Sequence, residues 1–120
     1  MVERMAKTTE RGEADMDSLV RNAKVDSGSF GELYDIYYRR ILNYCRHRLF
    51  NGDIAEDVTS KVFLAVASQI KAFKGKTEQE FGSWIYTIAS NKINDHLRKT
   101  TRRNRILLEA ANTLAKEFAD

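Results

Sequence analysis

The chain has no proline, one cysteine and only six glycines. With 31% of its residues charged and no proline, it lacks both strand punctuation and the means for a stiff linker, which favours helices. Cys45 alone cannot form an intrachain disulfide or a metal-ligand cluster. It stands among helical apolar positions and is expected to be a buried thiol in a reducing compartment. No apolar run approaches the roughly twenty residues that span a bilayer, and the amino terminus has no signal-peptide apolar core. A cytoplasmic location away from membranes is therefore expected. Internal repeats, low-complexity runs and strand-like alternation are also missing. What remains is 120 residues, 42% of them hydrophobic, enough for one core.

The net charge of +3 is modest and unevenly spread. Met1 to Asp17 is net negative, whereas Lys92 to Arg105 carries six positive residues against Asp95 alone. That basic end closes the stretch Phe81 to Arg103, around which the chain is organised. At about 100° per residue, Phe81, Ile85, Ile88 and Ala89 share a face that drifts towards Ile93 and Leu97 and should meet a core. Trp84, Thr87, Asn91, Asn94 and Arg98 form a second row, polar apart from Trp84 and able to bond outside the fold. A polyanion is the natural partner for such a face.

Residues 1–16 are polar without a helical stripe and are expected to be a flexible lead. Asp17 can cap a short helix from Ser18 to about Lys24, whose Leu19 and Val20 tuck onto the domain. Ser29 and Glu32 fit a capping box opening a helix from Ser29 to about Phe50, with Phe30, Leu33, Tyr34, Tyr37, Ile41, Tyr44, Cys45 and Leu49 along its buried side and Asn51 and Gly52 at its end. Asp53 can cap the next helix, to about Ala72, where Phe63, Leu64 and Ala67 widen a stripe of Val58, Val62, Ala65, Val66, Ile70 and Phe73. Either that helix is central or part of it meets a partner. Lys71 to Glu80 is a loop, with Gly75 for the turn and a Thr77–Glu80 capping box into a helix from Glu78 to about Lys99. Residues 104–120 are again helical, as a linker or tail. The fold predicted is all-α: three long helices plus a short amino-terminal one, forming a domain over residues 17–103.

No catalytic centre is legible. His47 and His96 are far apart and fit no metal-ligand spacing, and Glu56 and Asp57 sit where negative charge complements a helix dipole. A non-enzyme without cofactor or metal is expected. The nucleic-acid signal is stronger because different groups converge. Lys71, Lys74 and Lys76 supply positive charge for phosphates, and Phe73, Trp84 and Tyr86 supply faces on which unpaired bases stack, worth roughly 1–3 kcal/mol per base. Taken singly, Phe73 and Trp84 also suit a core. Together with Asn91 and the arginines that follow, they suit the holding of a single strand.

The segments FGELYDIYYRRILNYCRHRL, DIAEDVTSKVFLAV, KAFKGKTEQEF and WIYTIASNKINDHLRKTTRR resemble, in that order, region 2 of bacterial RNA polymerase sigma factors. The extracytoplasmic-function group is the nearest fit. The resemblance implies that the helix from Asp53 docks on the clamp helices of the polymerase's largest subunit, with Asp57, Val58, Lys61 and Val62 on the binding pattern. Ser60 and Lys61 stand where Gln and Glu are usual. It implies that the following loop and helix recognise the promoter's minus-ten element on the non-template single strand. Phe73, Trp84, Tyr86 and Asn91 fall on positions that build a pocket for a flipped base, and Thr87 stands where arginine is frequent. Lys74, Lys76, Asn94, Arg98, Arg102 and Arg103 complete the expected DNA-binding set, with Asn91 at the pocket wall. An anti-sigma factor is a further partner the family admits. Its members also carry a minus-35 domain, for which nothing after Arg103 leaves room, so the sequence is a piece of a longer factor or acts without that domain. Two rival classes stay open, a protein-only helical module that binds a regulator and a double-stranded DNA-binding repressor.

Overall fold

In the computed structural model the described residues are 12–119; the part of the expected flexible lead that precedes Gly12 lies outside them. Four helices follow in order: α1 (Glu13–Ala23), α2 (Ser27–Leu49), α3 (Gly52–Gln69) and α4 (Glu78–Ala119), with a single 3-10 turn, Ile70–Ala72, between α3 and α4. There is no strand among the described residues, and the all-α expectation holds. None of these helices is long and apolar enough to cross a membrane.

The caps explain the boundaries and correct several expected ones. α1 begins at Glu13 rather than Ser18, so Met16 joins Leu19, Val20 and Ala23 in the core. Asp17 does not cap α1. From inside that helix its carboxylate accepts the backbone N–H of Glu78 at 2.7 Å, capping α4 instead. α2 is capped by Asp26, which accepts both the N–H and the hydroxyl of Ser29 at 2.9 and 2.8 Å. A carboxylate is the stronger acceptor for free helix-start donors, so Ser29 becomes a donor inside the helix rather than its cap. Between α2 and α3 the left-handed position falls on Phe50 (φ 54°), not on Asn51 or Gly52. Asn51 is held extended because its side chain accepts the N–H of Ile54, and it caps α3 in place of Asp53.

The Thr77–Glu80 box forms as expected. Thr77 Oγ1 accepts the N–H of Glu80, and the Glu80 carboxylate reaches back to the N–H of Lys76 and the hydroxyl of Thr77, each at 3.1 Å. α4 then runs on past Lys99 to Ala119, so the helix expected to end there and the tail expected after it are one element. No proline or glycine interrupts it after Gly82. At 1.5 Å per residue it is roughly 63 Å long, and it sets the 72 Å long axis of the protein. Residues 101–119 are exposed throughout.

The core gathers most of the expected stripes: Leu33, Tyr37, Ile41 and Cys45 of α2, Val58, Val62 and Val66 of α3, and Phe81, Ile85, Ala89 and Ile93 of α4, with Phe30, Tyr44 and Leu49 half-buried around them. Tyr34 and Leu97, expected inside, lie at its rim and are exposed. Ile88 is half-buried at its edge. Burial pushes the Cys45 thiol up from its ordinary value, as expected for an inert core cysteine. The wide apolar side of α3 is partly central, because Phe63 is covered by Tyr34 and Tyr38, with ring centroids 4.6 and 5.9 Å away. Leu64 points away and is 70% exposed. Tyr37 ties α2 to the first turn of α4 by donating to Glu78 at 3.1 Å. Burial raises its phenol above the ordinary tyrosine value, so it stays a donor at neutral pH.

Candidate nucleic-acid interface

The site is built where the chain leaves the 3-10 turn and enters α4. Ile70 is buried, and Phe73, extended at the end of the turn, sends its ring inwards. The ring meets Phe81 edge-on at 6.1 Å and stacks on Trp84 at 4.5 Å, with the planes 19° apart. A Cβ on Gly75 would lie 2.2 Å from Cζ of that ring. Glycine is needed here for close approach and not, as its place in the loop suggests, for a left-handed turn, since no described glycine has a positive φ.

Above this stack lies an open cleft of about 600 Å³, with Phe73, Lys74 and Gly75 on the loop side and Gln79, Glu80, Ser83, Trp84 and Thr87 on the α4 side. Phe73 and Trp84 already sit at stacking distance, so the pair offers an outer apolar face and no gap between its members. Polar edges surround that apolar floor. Thr87 donates its hydroxyl proton to the carbonyl of Ser83 at 2.8 Å, which leaves its oxygen as an acceptor towards the cleft. Glu80 is committed to the loop, and the hydrogen bond from the Lys76 N–H, then that from Thr77, holds its carboxyl below the ordinary glutamate value.

The expected DNA-binding residues divide into groups. Phe73, Lys74, Trp84 and Thr87 line the cleft, and Lys76 is exposed in the same loop. Asn91 and Asn94 are exposed on the same row of α4, but neither lines the cleft; Asn91, expected at its wall, stands one turn beyond Thr87. Arg98 and Arg102 lie further along, lining a shallow groove of about 320 Å³ with Leu97, Thr101 and Arg105. Arg98 is ion-paired with Asp95. Arg103 belongs to a different groove, with His96, Lys99 and Thr100. Tyr86 is not brought to the cleft. Two residues past Trp84 it has turned some 200° round the helix, and it meets Tyr44 edge-on at 5.2 Å.

On α3, Asp57 and Lys61 are exposed and paired at 3.1 Å. Val58 and Val62 are 1% and 0% exposed, so they sit in the core and support that face from behind. Sequence reasoning missed Gln79 and Ser83, although their four-residue spacing with Thr87 was visible. It also missed Asp17, Arg21 and Lys24 of α1, which bond the loop across sequence separations of 51 to 61 residues and leave no local signal.

A bundle of three long helices, a capped fourth-helix start and an aromatic-floored cleft beside a basic helix define one class, and comparison with known proteins agrees. The Sigma-70 region 2 family model matches residues 33–103, and the chain belongs to that family. It is 36% identical over 99 residues to the ECF RNA polymerase sigma factor BldN of Streptomyces coelicolor, a match covering 78% of this chain and 37% of that protein. It is 33% identical over 76 residues to the ECF RNA polymerase sigma factor SigW of Bacillus subtilis, covering 63% and 40%. A probable RNA polymerase sigma factor of Haemophilus influenzae is 31% identical over 71 residues, covering 59% and 34%. The chain thus spans well under half the length of these relatives.

Proposed function

We propose that this domain binds core RNA polymerase and recognises and melts the promoter minus-ten element, holding its non-template strand as single-stranded DNA. The observation that carries this reading is the open cleft on the Phe73–Trp84 stack at the head of a polar and basic row, Thr87, Asn91, Asn94, Arg98 and Arg102. Unstacking a base costs a few kcal/mol, and stacking plus hydrogen bonds to the extruded base offset it, so melting needs no fuel. The protein contributes binding and no covalent chemistry, and works in the cytoplasm without a cofactor.

In this proposal the exposed side of α3 around Asp57, Ser60, Lys61 and Leu64 meets the clamp helices of the polymerase's largest subunit. Val58 and Val62 hold that side in place from the core. An anti-sigma factor is a further partner, with no surface assigned. The rival reading, a module that binds proteins only, leaned on the wide apolar side of α3. Cover of Phe63 by Tyr34 and Tyr38 takes that residue out of its support, while Leu64 and Ala67 stay exposed.

Reconstitution of the chain with core polymerase on a promoter bubble tests the proposal. The expected result is a complex whose affinity depends on the non-template minus-ten sequence. Polymerase binding with no strand or sequence preference would leave the protein-only reading in its place.

A further inference from the structure

One face of α1 grips the loop beneath the cleft. Asp17, Arg21 and Lys24 stand at i, i+4 and i+7, which places them on a single side of the helix. They hold successive stations along the chain. The Lys24 ammonium donates to the carbonyl of Gly75 at 2.6 Å and lies 5.1 Å from the centre of the Phe73 ring. Arg21 donates to the carbonyl of Lys76 at 3.2 Å, and Asp17 accepts the N–H of Glu78 at 2.7 Å. α1 is anchored in the core beside that face by Leu19, Val20 and Ala23. None of the three gripping residues lines the cleft, so any effect on a ligand there passes through the loop.

We propose that Asp17, Arg21 and Lys24 are positioning residues for single-strand recognition, with α1 acting as a splint that sets the 73–77 loop in its binding shape before DNA arrives. This rests on the cleft being the single-strand site. All three bonds go to backbone groups, two within the loop and one at the first residue of α4, so they fix the path of the loop whatever its side chains touch. A loop ordered in advance does not lose that freedom on binding, and its affinity is higher for it. Lys24, whose ammonium is engaged by the Gly75 carbonyl and the Phe73 ring, acts here as a tether and not as a phosphate contact.

The test uses the 120-residue chain with Lys24→Met, which keeps most of the aliphatic stem and removes the charge, and Lys24→Arg as the conservative rescue. Trp84, the sole tryptophan, reports on the loop through quenching by acrylamide. The expected result for Lys24→Met is stronger quenching at unchanged helicity and a roughly three- to tenfold loss of affinity for a labelled mixed-sequence single strand. The logarithmic salt slope should be unchanged, and Lys24→Arg should recover both readouts. Unchanged quenching overturns the splint, as does a slope lowered by about 0.7, the signature of a lost phosphate contact. If Lys24→Met unfolds the chain, Arg21→Gln, at an exposed position, provides the same readouts through the Lys76 carbonyl. A wild-type chain that binds no single strand would sink the reading of the cleft, while Trp84 quenching would still decide whether α1 shapes the loop.

Discussion

The Phe73 ring fills the space that a side chain on Gly75 would need, its Cζ 2.2 Å from the position of a Cβ there. The loop backbone therefore presses on the ring, and the ring presses on Trp84. Gly75→Ala should push Phe73 out of its stack at a cost of about 1–3 kcal/mol, the usual penalty for overpacking. Denaturant unfolding and the emission maximum of Trp84 measure the two effects. Wild-type stability with unshifted emission would mean that the loop yields and the contact matters little.

Two exposed carboxylates give the fold an acid-sensitive side. Hydrogen bonds from Ser29 hold Asp26 below its ordinary value, and those from Lys76 and Thr77 do the same for Glu80. A group depressed in the folded state contributes stability that is complete above the ordinary carboxylate range and is lost as pH falls through the folded value. The unfolding midpoint should therefore drop as pH falls below about 4, and Asp26→Asn with Glu80→Gln should flatten that drop. Parallel pH profiles for the variant and the wild type would refute it.

The proposed polymerase-binding face contains both surface and core residues, and substitution should separate them. Reversing the charge of Asp57 or Lys61 should weaken polymerase binding while altering stability by under about 0.5 kcal/mol. Val62→Ala should cost about 1–3 kcal/mol of stability, because it opens a cavity in a fully buried site. Calorimetry alongside a polymerase pull-down distinguishes them. If Asp57 and Lys61 variants bind polymerase as well as wild type does, the docking face lies elsewhere.

What could be read from the sequence follows the range of each interaction. The apolar stripes and the Thr77–Glu80 box involve residues within one or two turns, and they were legible. The cap on α2 was misassigned because Asp26 and Ser29 are both competent, and the stronger acceptor, the Asp26 carboxylate, takes the position three residues earlier. Tyr86 looked like a partner of Trp84 because the two are neighbours in sequence, although a helix turns them apart. The grip of Asp17, Arg21 and Lys24 on the loop was invisible, since it depends on how α1 packs across α4. The row on α4 was legible as a row, but the point where the cleft ends along it is set by the path of the 73–77 loop.

Arg98, Arg102 and Arg103 of the basic end should not behave alike. Arg98 and Arg102 share a groove on the side of α4 that carries the cleft, whereas Arg103 lines another with His96 and Lys99. If a single strand runs from the cleft along α4, Arg98→Ala and Arg102→Ala should each lower the logarithmic salt slope by roughly 0.7. Arg103→Ala should leave it nearly unchanged. Titrations of a labelled single strand at several salt concentrations decide the matter. Equal losses for all three would mean that the strand does not follow the row.

Asn91 supplies the sharpest test of how the strand is read. It stands one helical turn beyond Thr87, about 6 Å along the axis, and outside the cleft that Thr87 lines. That spacing is well beyond the roughly 3.4 Å rise of stacked nucleotides and suits a strand drawn out with its bases unstacked, so the two side chains should serve adjacent bases. Asn91 offers both a donor and an acceptor to a base edge, whereas Thr87, its hydroxyl proton given to Ser83, offers an acceptor alone. Asn91→Ala should cost roughly 1–3 kcal/mol of discrimination at one minus-ten position. Thr87→Val, which removes the acceptor, should relax a neighbouring position and spare the first. Polymerase binding should stay intact in both variants. Competition binding of the reconstituted complex to bubbles with single-base changes gives the answer. Loss at the same position in both would place Asn91 in the cleft after all, and uniform weakening would leave it a structural role only.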